Sequence, residues 1–467
     1  MFAVIAARVR PPVIPAQAGI FRDCREIPAC AGMTGKGRRR ALTLEVPDQQ
    51  RNISYCAASG KVGERERPET PCRLWGLCGG AKSWREIQTP GQGMSKRSIF
   101  EDVAGGKAAV QVAVPARRRE ARSAIALWLL GLALLTAAMV LIGGLTRLTD
   151  SGLSITVWAP VMGALPPLSE ADWLAAFEAY QGTTEFQAQN AWMTLADFKP
   201  IFWWEWGHRF LGRLIGGVWL VGFLTFLLTR RIPTGWAGRL ILPGVLGGLQ
   251  GAVGWWMVAS GLSGRLDVAS YRLALHLGLA FVIFMVLIWL ALKVRLDDVA
   301  LLKARRRRLP VLTGVVGALT ALVFLQILAG ALVAGIDAGR GYVDWPLMQG
   351  QFLPDESFDM SPLWVNFFEN PALVQFVHRI LGYLVLAFGI VFVLRCGRSG
   401  HGATRNLGRW AGVAILAQVL VGISTVMHGS PLSIAIFHQA GALVVVALLI
   451  RAKFEIAYPG EQRIARG

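Results

Sequence analysis

The segment EWGHRFLGRL, residues 205–214, recurs as QFVHRILGYL at residues 375–384, with His, Arg, Leu, Gly and Leu identical in register. A second match lies upstream of each copy, at another constant offset. Its identical pairs are Gly143 and Gly330, Leu145 and Leu332, Asp150 and Asp337, Gly152 and Gly339, and Trp158 and Trp345. Two separate registers in the same order indicate a gene duplication. The fold is therefore expected to consist of two related halves.

The composition is that of a membrane protein, because 54 % of the residues are hydrophobic and only 16 % are charged. A run of about 20 apolar residues is long enough to cross roughly 30 Å of hydrocarbon. Eight such runs are predicted as transmembrane helices, at residues 125–146, 202–229, 239–260, 271–294, 311–335, 373–395, 408–427 and 432–451.

The net charge of +19 lies almost entirely on one side of these spans. The four segments on the other side hold few cations, namely Arg147, Lys199, Arg265 and Arg340. By the positive-inside rule both termini are cytoplasmic, in the inner membrane of a bacterium. The charge thus reflects topology and contact with anionic lipid, and no nucleic-acid partner is expected.

The predicted fold class is an all-α polytopic membrane protein of eight transmembrane helices, arranged as two pseudo-symmetric four-helix bundles. Each half has an even number of spans, so both halves enter the membrane in the same orientation. The predicted divisions are a cytoplasmic segment 94–124, the first half 125–294, a cytoplasmic linker 295–310, the second half 311–452 and a cytoplasmic tail 453–467.

Residues 1–93 have a different composition, rich in Pro, Arg and Cys and without a long apolar run. They are interpreted as a disordered or mis-assigned extension upstream of a start at Met94. Five of the six cysteines lie there, so only Cys396 belongs to the membrane region and no disulfide is expected in it.

The loop after the first span is longer than the loop after the fifth, because 50 residues separate Trp158 from His208 and 33 separate Trp345 from His378. The extra length includes the amphipathic stretch ADWLAAFEAY at residues 171–180. It predicts a surface helix that covers the bundle, with a partner-binding element as the alternative.

Four histidines lie in the spans, where this residue is costly and usually has a partner or a ligand. His208, His276, His378 and His438 all lie about five to seven residues inside spans two, four, six and eight, or roughly 7 to 11 Å along the helix. Two facing imidazoles can occupy both axial positions of a heme iron held between helices. Zinc is disfavoured because no cysteine lies near. The duplication pairs His208 with His276 and His378 with His438.

Arginines accompany these histidines, since Arg209 and Arg379 follow two of them and Arg272 precedes a third by four residues. Guanidinium groups at this depth suit heme propionates. The alternative, an arginine that extends to the lipid headgroups, remains equally open for Arg272. His401 is placed in a cytoplasmic loop, and His428 is an interfacial residue or a spare ligand.

The residue three positions before the repeated histidine differs in charge between the two sites. Three residues before the repeated histidine, on the same helical face, the first half has Glu205 and the second has Gln375. A carboxylate in this setting suits proton abstraction or stabilisation of a cation, whereas an amide can only hydrogen-bond. The first half is therefore predicted to perform chemistry and the second to hold a permanent heme.

Over about residues 120–452 the chain resembles heme A synthase. The resemblance rests on the four histidines and on three motifs, ExxHR at 205–209, LTRLTDSGLS at 145–154, and AGIDAG with WPLM at 334–348. It is similar to the alphaproteobacterial and mitochondrial branch, since it lacks the outer-loop cysteine pair of the other branch.

The resemblance implies that His378 and His438 ligate heme b, that His208 and His276 ligate the substrate heme O, and that Glu205 is the catalytic carboxylate. It implies oxidation of a peripheral heme methyl to the formyl group of heme A. The implied partners are heme O synthase as donor and a heme-A-containing terminal oxidase or its assembly factors as recipient.

Two other functions are compatible with paired histidines. A diheme b-type electron carrier between a quinol and another acceptor would use both pairs but would not need Glu205. A heme transporter or insertion chaperone would need a route between the halves, and no span is unusually broken.

Overall fold

The structure is a computed structural model that describes residues 116–159 and 162–461. Over these ranges the chain is helical apart from turns, loops and one isolated bridge between Met348 and Gln351. The predictions for residues 1–93 lie outside the described residues.

Eight helices in the described part are long and apolar enough to cross a membrane, as predicted. They are α1 (Ala116–Leu148), α2 (Leu195–Leu228), α3 (Ala237–Gly261), α4 (Ser270–Val294), α5 (Pro310–Gly335), α6 (Pro371–Gly397), α7 (Gly402–Met427) and α8 (Leu432–Ala457).

Several helices extend beyond the predicted spans because hydropathy detects only the part that lies in hydrocarbon. The helix α2 begins seven residues earlier than expected, where Thr194 and Asp197 form a reciprocal capping box. The predicted linker 295–310 contains a further short helix, Asp298–Arg306, which Asp297 caps at its start.

The helices contact one another in the same order in both halves. In the first half α1 contacts α2 and α4, and α3 contacts α2 and α4. In the second half α5 contacts α6 and α8, and α7 contacts α6 and α8. Contacts between the halves involve α1 with α8, α4 with α5, and α4 with α8. Large apolar residues such as Phe281, Leu319 and Phe392 are buried in the core between these helices.

The odd-numbered helices end, and the even-numbered helices begin, on one side of the bundle, which we call the histidine side. The first loop on this side contains the predicted surface helix, at Glu170–Gln181, which Ser169 and Asp172 cap reciprocally. Its buried Phe177 and Tyr180 pack on Phe198 and Phe202 at the start of α2. The helix therefore covers the histidine end of α2.

An ion-pair network joins the two halves on the histidine side. Arg147, at the end of α1, pairs with Asp150 at 2.7 Å, with Asp337 of the second half at 3.0 Å and with Asp267 at 3.6 Å. Asp150 and Asp337 are equivalent in the duplication, and both adopt the left-handed conformation, with φ of 47° and 51°. Burial raises the pKa of Asp150, although Arg147 opposes that shift.

Candidate functional site

Each of the four predicted histidines lies on an even-numbered helix and rests on a glycine of the preceding helix. The pairs are His208 on Gly143, His276 on Gly254, His378 on Gly330 and His438 on Gly422, and a Cβ at these glycines would lie 3.2, 2.7, 2.9 and 2.8 Å from the imidazole ring. Only glycine leaves room for a ring at this distance. The glycines therefore determine where the rings lie.

His208 and His276 face each other across the first half. Their ring centroids are 6.5 Å apart, and the ring planes are inclined by 60°. A metal–imidazole bond is about 2 Å long, so two imidazoles on opposite sides of one iron have centroids roughly 6 Å apart. The observed separation therefore fits two axial ligands of a single heme.

His378 of α6 and His438 of α8 occupy the corresponding places in the second half, where each rests on its glycine. In this half two buried nitrogens, His378 Nδ1 and Arg379 Nε, have no hydrogen-bond partner among the described residues. Buried polar atoms are usually paired. The unpaired nitrogens are consistent with a group that completes the site.

Three of the four histidines have a glutamine amide next to the ring. The Nε2 of Gln250 donates to the carbonyl of His276 at 3.0 Å, and the Nε2 of Gln418 donates to that of His438 at 2.8 Å. The amide of Gln326 lies 3.3 Å from His378 Nε2. Sequence analysis missed these residues, although a glutamine four positions before the glycine recurs in α3, α5 and α7.

Glu205 is buried and its carboxylate accepts four hydrogen bonds. Ser154 Oγ and the Ile155 N–H donate to Oε2, both at 2.7 Å. The Nε and Nη2 of Arg209 donate to Oε1 at 3.0 and 2.6 Å. Every neighbour in this network is a donor, which is the arrangement that a carboxylate anion requires.

Gln375 occupies the equivalent place in the second half. It accepts from Arg379 at 3.1 Å and donates to the carbonyls of Ala338 and Tyr342 at 3.0 and 3.2 Å. Each network thus contains an arginine one helical turn further along the helix. The networks differ in the charge of the residue that this arginine contacts, which is Glu205 in the first half and Gln375 in the second.

Both arginines also donate to carbonyls of the adjoining loop. Arg209 donates to Ile155 and Val157, at 2.7 and 3.0 Å. Arg379 donates to Tyr342 and Leu347, at 2.9 and 2.8 Å. They therefore hold the histidine-side loops against α2 and α6, whatever else they bind. Propionate contact stays a prediction for this pair.

The other polar residues singled out from the sequence contact groups outside the histidine pairs. Arg272 donates to the carbonyl of Trp256 at 2.7 Å and lies 4.4 Å from the centroid of its ring. His428 caps the end of α7, where Nδ1 lies 2.8 Å from the carbonyl of Ser424. His401 is at the start of the same helix.

A buried carboxyl group in the first loop was not found from the sequence. Glu185 is 5 % exposed, and its Oε1 accepts from Tyr180 at 3.3 Å, while Asn190 donates to the same tyrosine at 2.7 Å. Burial raises the pKa of Glu185 to about 8, and Asp150 raises it further, although the hydrogen bond from Tyr180 opposes the shift. No periodic pattern marks this residue in the sequence.

Clusters of three or more potential metal-ligating side chains are absent from the described ranges. The histidines occur in twos, and Cys396, the cysteine in the described part, is buried and free. Two ligands suit an iron whose four other bonds come from a macrocycle better than they suit zinc, which takes four protein ligands in structural sites.

Comparison with known proteins identifies the family of this chain. Residues 126–450 match the family described as cytochrome oxidase assembly protein. Heme A synthase of Ruegeria pomeroyi is 57 % identical over 371 residues, which cover 78 % of this chain and 98 % of the relative. Heme A synthase of Paracoccus denitrificans is 50 % identical over 376 residues, which cover 79 % and 99 %.

The matched region contains all four histidines, Glu205 and both arginines of the two networks. A family match over more than half of the chain, and relatives matched over nearly their whole length, lead to one conclusion. The chain belongs to the cytochrome oxidase assembly protein family that includes these heme A synthases.

Proposed function

We propose that this chain is a heme A synthase, which oxidises a peripheral methyl group of heme O, through a hydroxymethyl group, to the formyl group of heme A. The observation that carries this proposal is that the first half has a carboxylate where the second half has an amide. Glu205 lies one helical turn from His208, and Gln375 lies one turn from His378. The printed name of the relatives supports the same activity.

In this proposal the first half, residues 125–294, binds substrate between His208 and His276. The second half, residues 311–452, retains heme b between His378 and His438. Heme b, when bound, supplies one-electron transfer. The glycine against each ring fixes the position of its imidazole, so the ligands are oriented before a heme enters.

The carboxylate of Glu205 acts on the reacting edge of the substrate. A fixed negative charge in a region of low dielectric constant stabilises the positive charge that develops on a methyl carbon during oxidation. Ser154 is the neighbour that can also accept a hydrogen bond, because a hydroxyl has lone pairs. Rotation of this hydroxyl frees one oxygen of Glu205 to take up a proton.

Arg209 and Arg379 orient the propionates of the two hemes in this proposal. Each guanidinium group already anchors a histidine-side loop through carbonyl groups. The unpaired Nε of Arg379 gives this arginine a donor for a further acceptor. A propionate is a suitable acceptor because arginine binds carboxylates in a bidentate manner.

The chain works in the bacterial inner membrane with both termini in the cytoplasm, and the histidine side faces outward. Heme O synthase supplies the substrate, and a heme-A-containing terminal oxidase or its assembly factors receive the product. The distribution of Lys and Arg supports this orientation.

The near identity of the two histidine frames favours one other function, a diheme electron carrier. Extraction of pigments from the purified protein separates the two functions. Hemes O and A together with heme b are expected for the synthase, whereas heme b alone, in cells that make heme O, would favour the carrier.

A further inference from the structure

The helices α2 and α3 of the first half are much less covered than their counterparts. In each of them only 6 % of the apolar 18-residue stretch that would cross the membrane is buried. The corresponding share is 22 % in α6 and 17 % in α7. The contact between α2 and α3 is also less extensive than that between α6 and α7. The first half is therefore open along this seam, beside the helix face that contacts His276.

The seam is closed at one point towards the side opposite the histidine side. There the Trp219 ring fills the space next to Gly244, and its Nε1 donates to the carbonyl of Leu240 at 3.0 Å. On the histidine side, the ring centroids of Trp158 in the first loop and Trp255 in α3 are 4.9 Å apart. Between these two closures lies what we call the α2–α3 window, which we define by Gly216 of α2 and by Gly247 and Gly251 of α3.

A Cβ at each of these three glycines would meet nothing within 4 Å. The second half has larger side chains at the corresponding positions of α7. When Gln250 is aligned with Gln418, Gly247 aligns with Ile415 and Gly251 with Val419. Ile415 is 2 % exposed and contacts Gly389 of α6, whereas Gly247 is exposed. The position of Gly247 is thus filled by a buried side chain in the second half and left empty in the first.

A buried acceptor lies next to the window. Gln250, between Gly247 and Gly251, holds the carbonyl of His276 with its Nε2. Its Oε1 is buried and has no hydrogen-bond partner among the described residues. A buried amide oxygen without a donor is costly, so this atom is suited to a donor that arrives with a ligand.

Resting on the proposed function, we propose that the α2–α3 window holds the isoprenoid side chain of the substrate heme, and that Gln250 Oε1 accepts the hydroxyl at the base of that chain. Heme O carries a hydroxyethylfarnesyl group where heme b has a short vinyl group. An apolar opening to lipid suits such a chain, and a sealed seam suits a heme without one. The product keeps the chain and leaves by the same window.

The test replaces Gly247 by the residue that seals the second half. Full-length wild type, Gly247→Ile and the control Gly248→Leu are purified from cells that lack heme O synthase, and heme O or protoheme is titrated into each. Gly248 aligns with Leu416, which is 50 % exposed, so Gly248→Leu adds similar bulk without sealing the seam. Replacing glycine within a helix does not weaken the helix itself.

We expect Gly247→Ile to reduce the affinity for heme O by roughly tenfold or more, because the isoprenoid chain can no longer be buried in the window. Its affinity for protoheme, and both affinities of Gly248→Leu, should match wild type. Unchanged heme O binding, even with a change in copurified phospholipid, would overturn the proposal in favour of an acyl chain. Equal weakening of both hemes would also overturn it, because the histidine pair would then be disturbed.

A second variant tests the hydroxyl contact. Gln250→Leu should lose heme O binding more than protoheme binding, and equal losses would refute the contact. Failure of the proposed function is distinguishable from these results, because it would appear in wild type as protoheme binding without heme O binding or heme A formation.

Discussion

At the scale of single residues, Glu205 and Gln375 provide a natural control for each other. Glu205→Gln places in the first half the amide that the second half already carries, so folding and heme ligation should survive. Loss of the charge should slow methyl oxidation by on the order of a hundredfold or more, the cost of losing one well-placed electrostatic group. Heme O or its hydroxymethyl form should accumulate on the purified protein, as measured by chromatography and mass.

The outcome also separates catalysis from structure. Normal heme A formation by Glu205→Gln would reject the catalytic role, whereas loss of all bound heme would make Glu205 a structural residue. Gln375→Glu is the matched control, and it should leave heme A formation close to wild type.

In protein made in cells without heme O synthase, replacing a histidine should have a different effect on bound heme b in each half of the chain. His378→Ala or His438→Ala should remove most of the low-spin heme b spectrum, because each deletes an axial ligand of the retained heme. His208→Ala should remove much less. Equal losses from substitutions in both halves would contradict the division of labour.

Single residues were predictable from the sequence when they were of a type that is costly to place in a membrane helix. A histidine or a carboxylate within an apolar helix stands out, so the four histidines and Glu205 were singled out. Gln250, Gln326 and Gln418 were missed because a glutamine is less costly in a helix bundle. Their roles depend on the helix opposite, which a single stretch of sequence does not reveal.

At the scale of helices, the contact of a glycine with each imidazole can be tested within α5. Gly330→Ala places a Cβ 2.9 Å from the His378 ring, so the ring or the helix must shift, at a cost of about 1–3 kcal/mol. We expect a clear loss of heme b and a lower melting temperature. Gly317→Ala on the same helix meets nothing within 4 Å and should keep both at wild-type level.

The first loop should respond to pH through Glu185. Because its folded pKa is raised to about 8, the folded loop binds a proton that the unfolded loop releases near its ordinary pKa, about 4.5. Stability should therefore fall as pH rises from about 5 to 8, and change little above that. Protease susceptibility of the loop across this range measures the effect, and Glu185→Gln should flatten the profile.

At the scale of the whole molecule, the number of helices was predictable because lipid dictates span length. The order of contacts within each half follows the duplication, in which neighbours in sequence are neighbours in space. Two features were not predictable in the same way. The extension of α2 depends on a cap beyond the membrane, and the network around Arg147 joins residues from three separate segments.

The repeated frame also determines how the reaction relates to the voltage across the membrane. Gly143 and Gly330 each lie five residues before the end of their helix, and each supports a histidine of its own pair. The two pairs thus lie at the same depth. Moving one charge across a membrane at 100 mV involves about 2.3 kcal/mol, but an electron that passes between sites of equal depth travels parallel to the plane and gains or loses none of it. In sealed vesicles, electron transfer between the two hemes should therefore proceed at the same rate with an imposed potential of either sign, whereas a rate that depends on its polarity would place the two hemes at different depths.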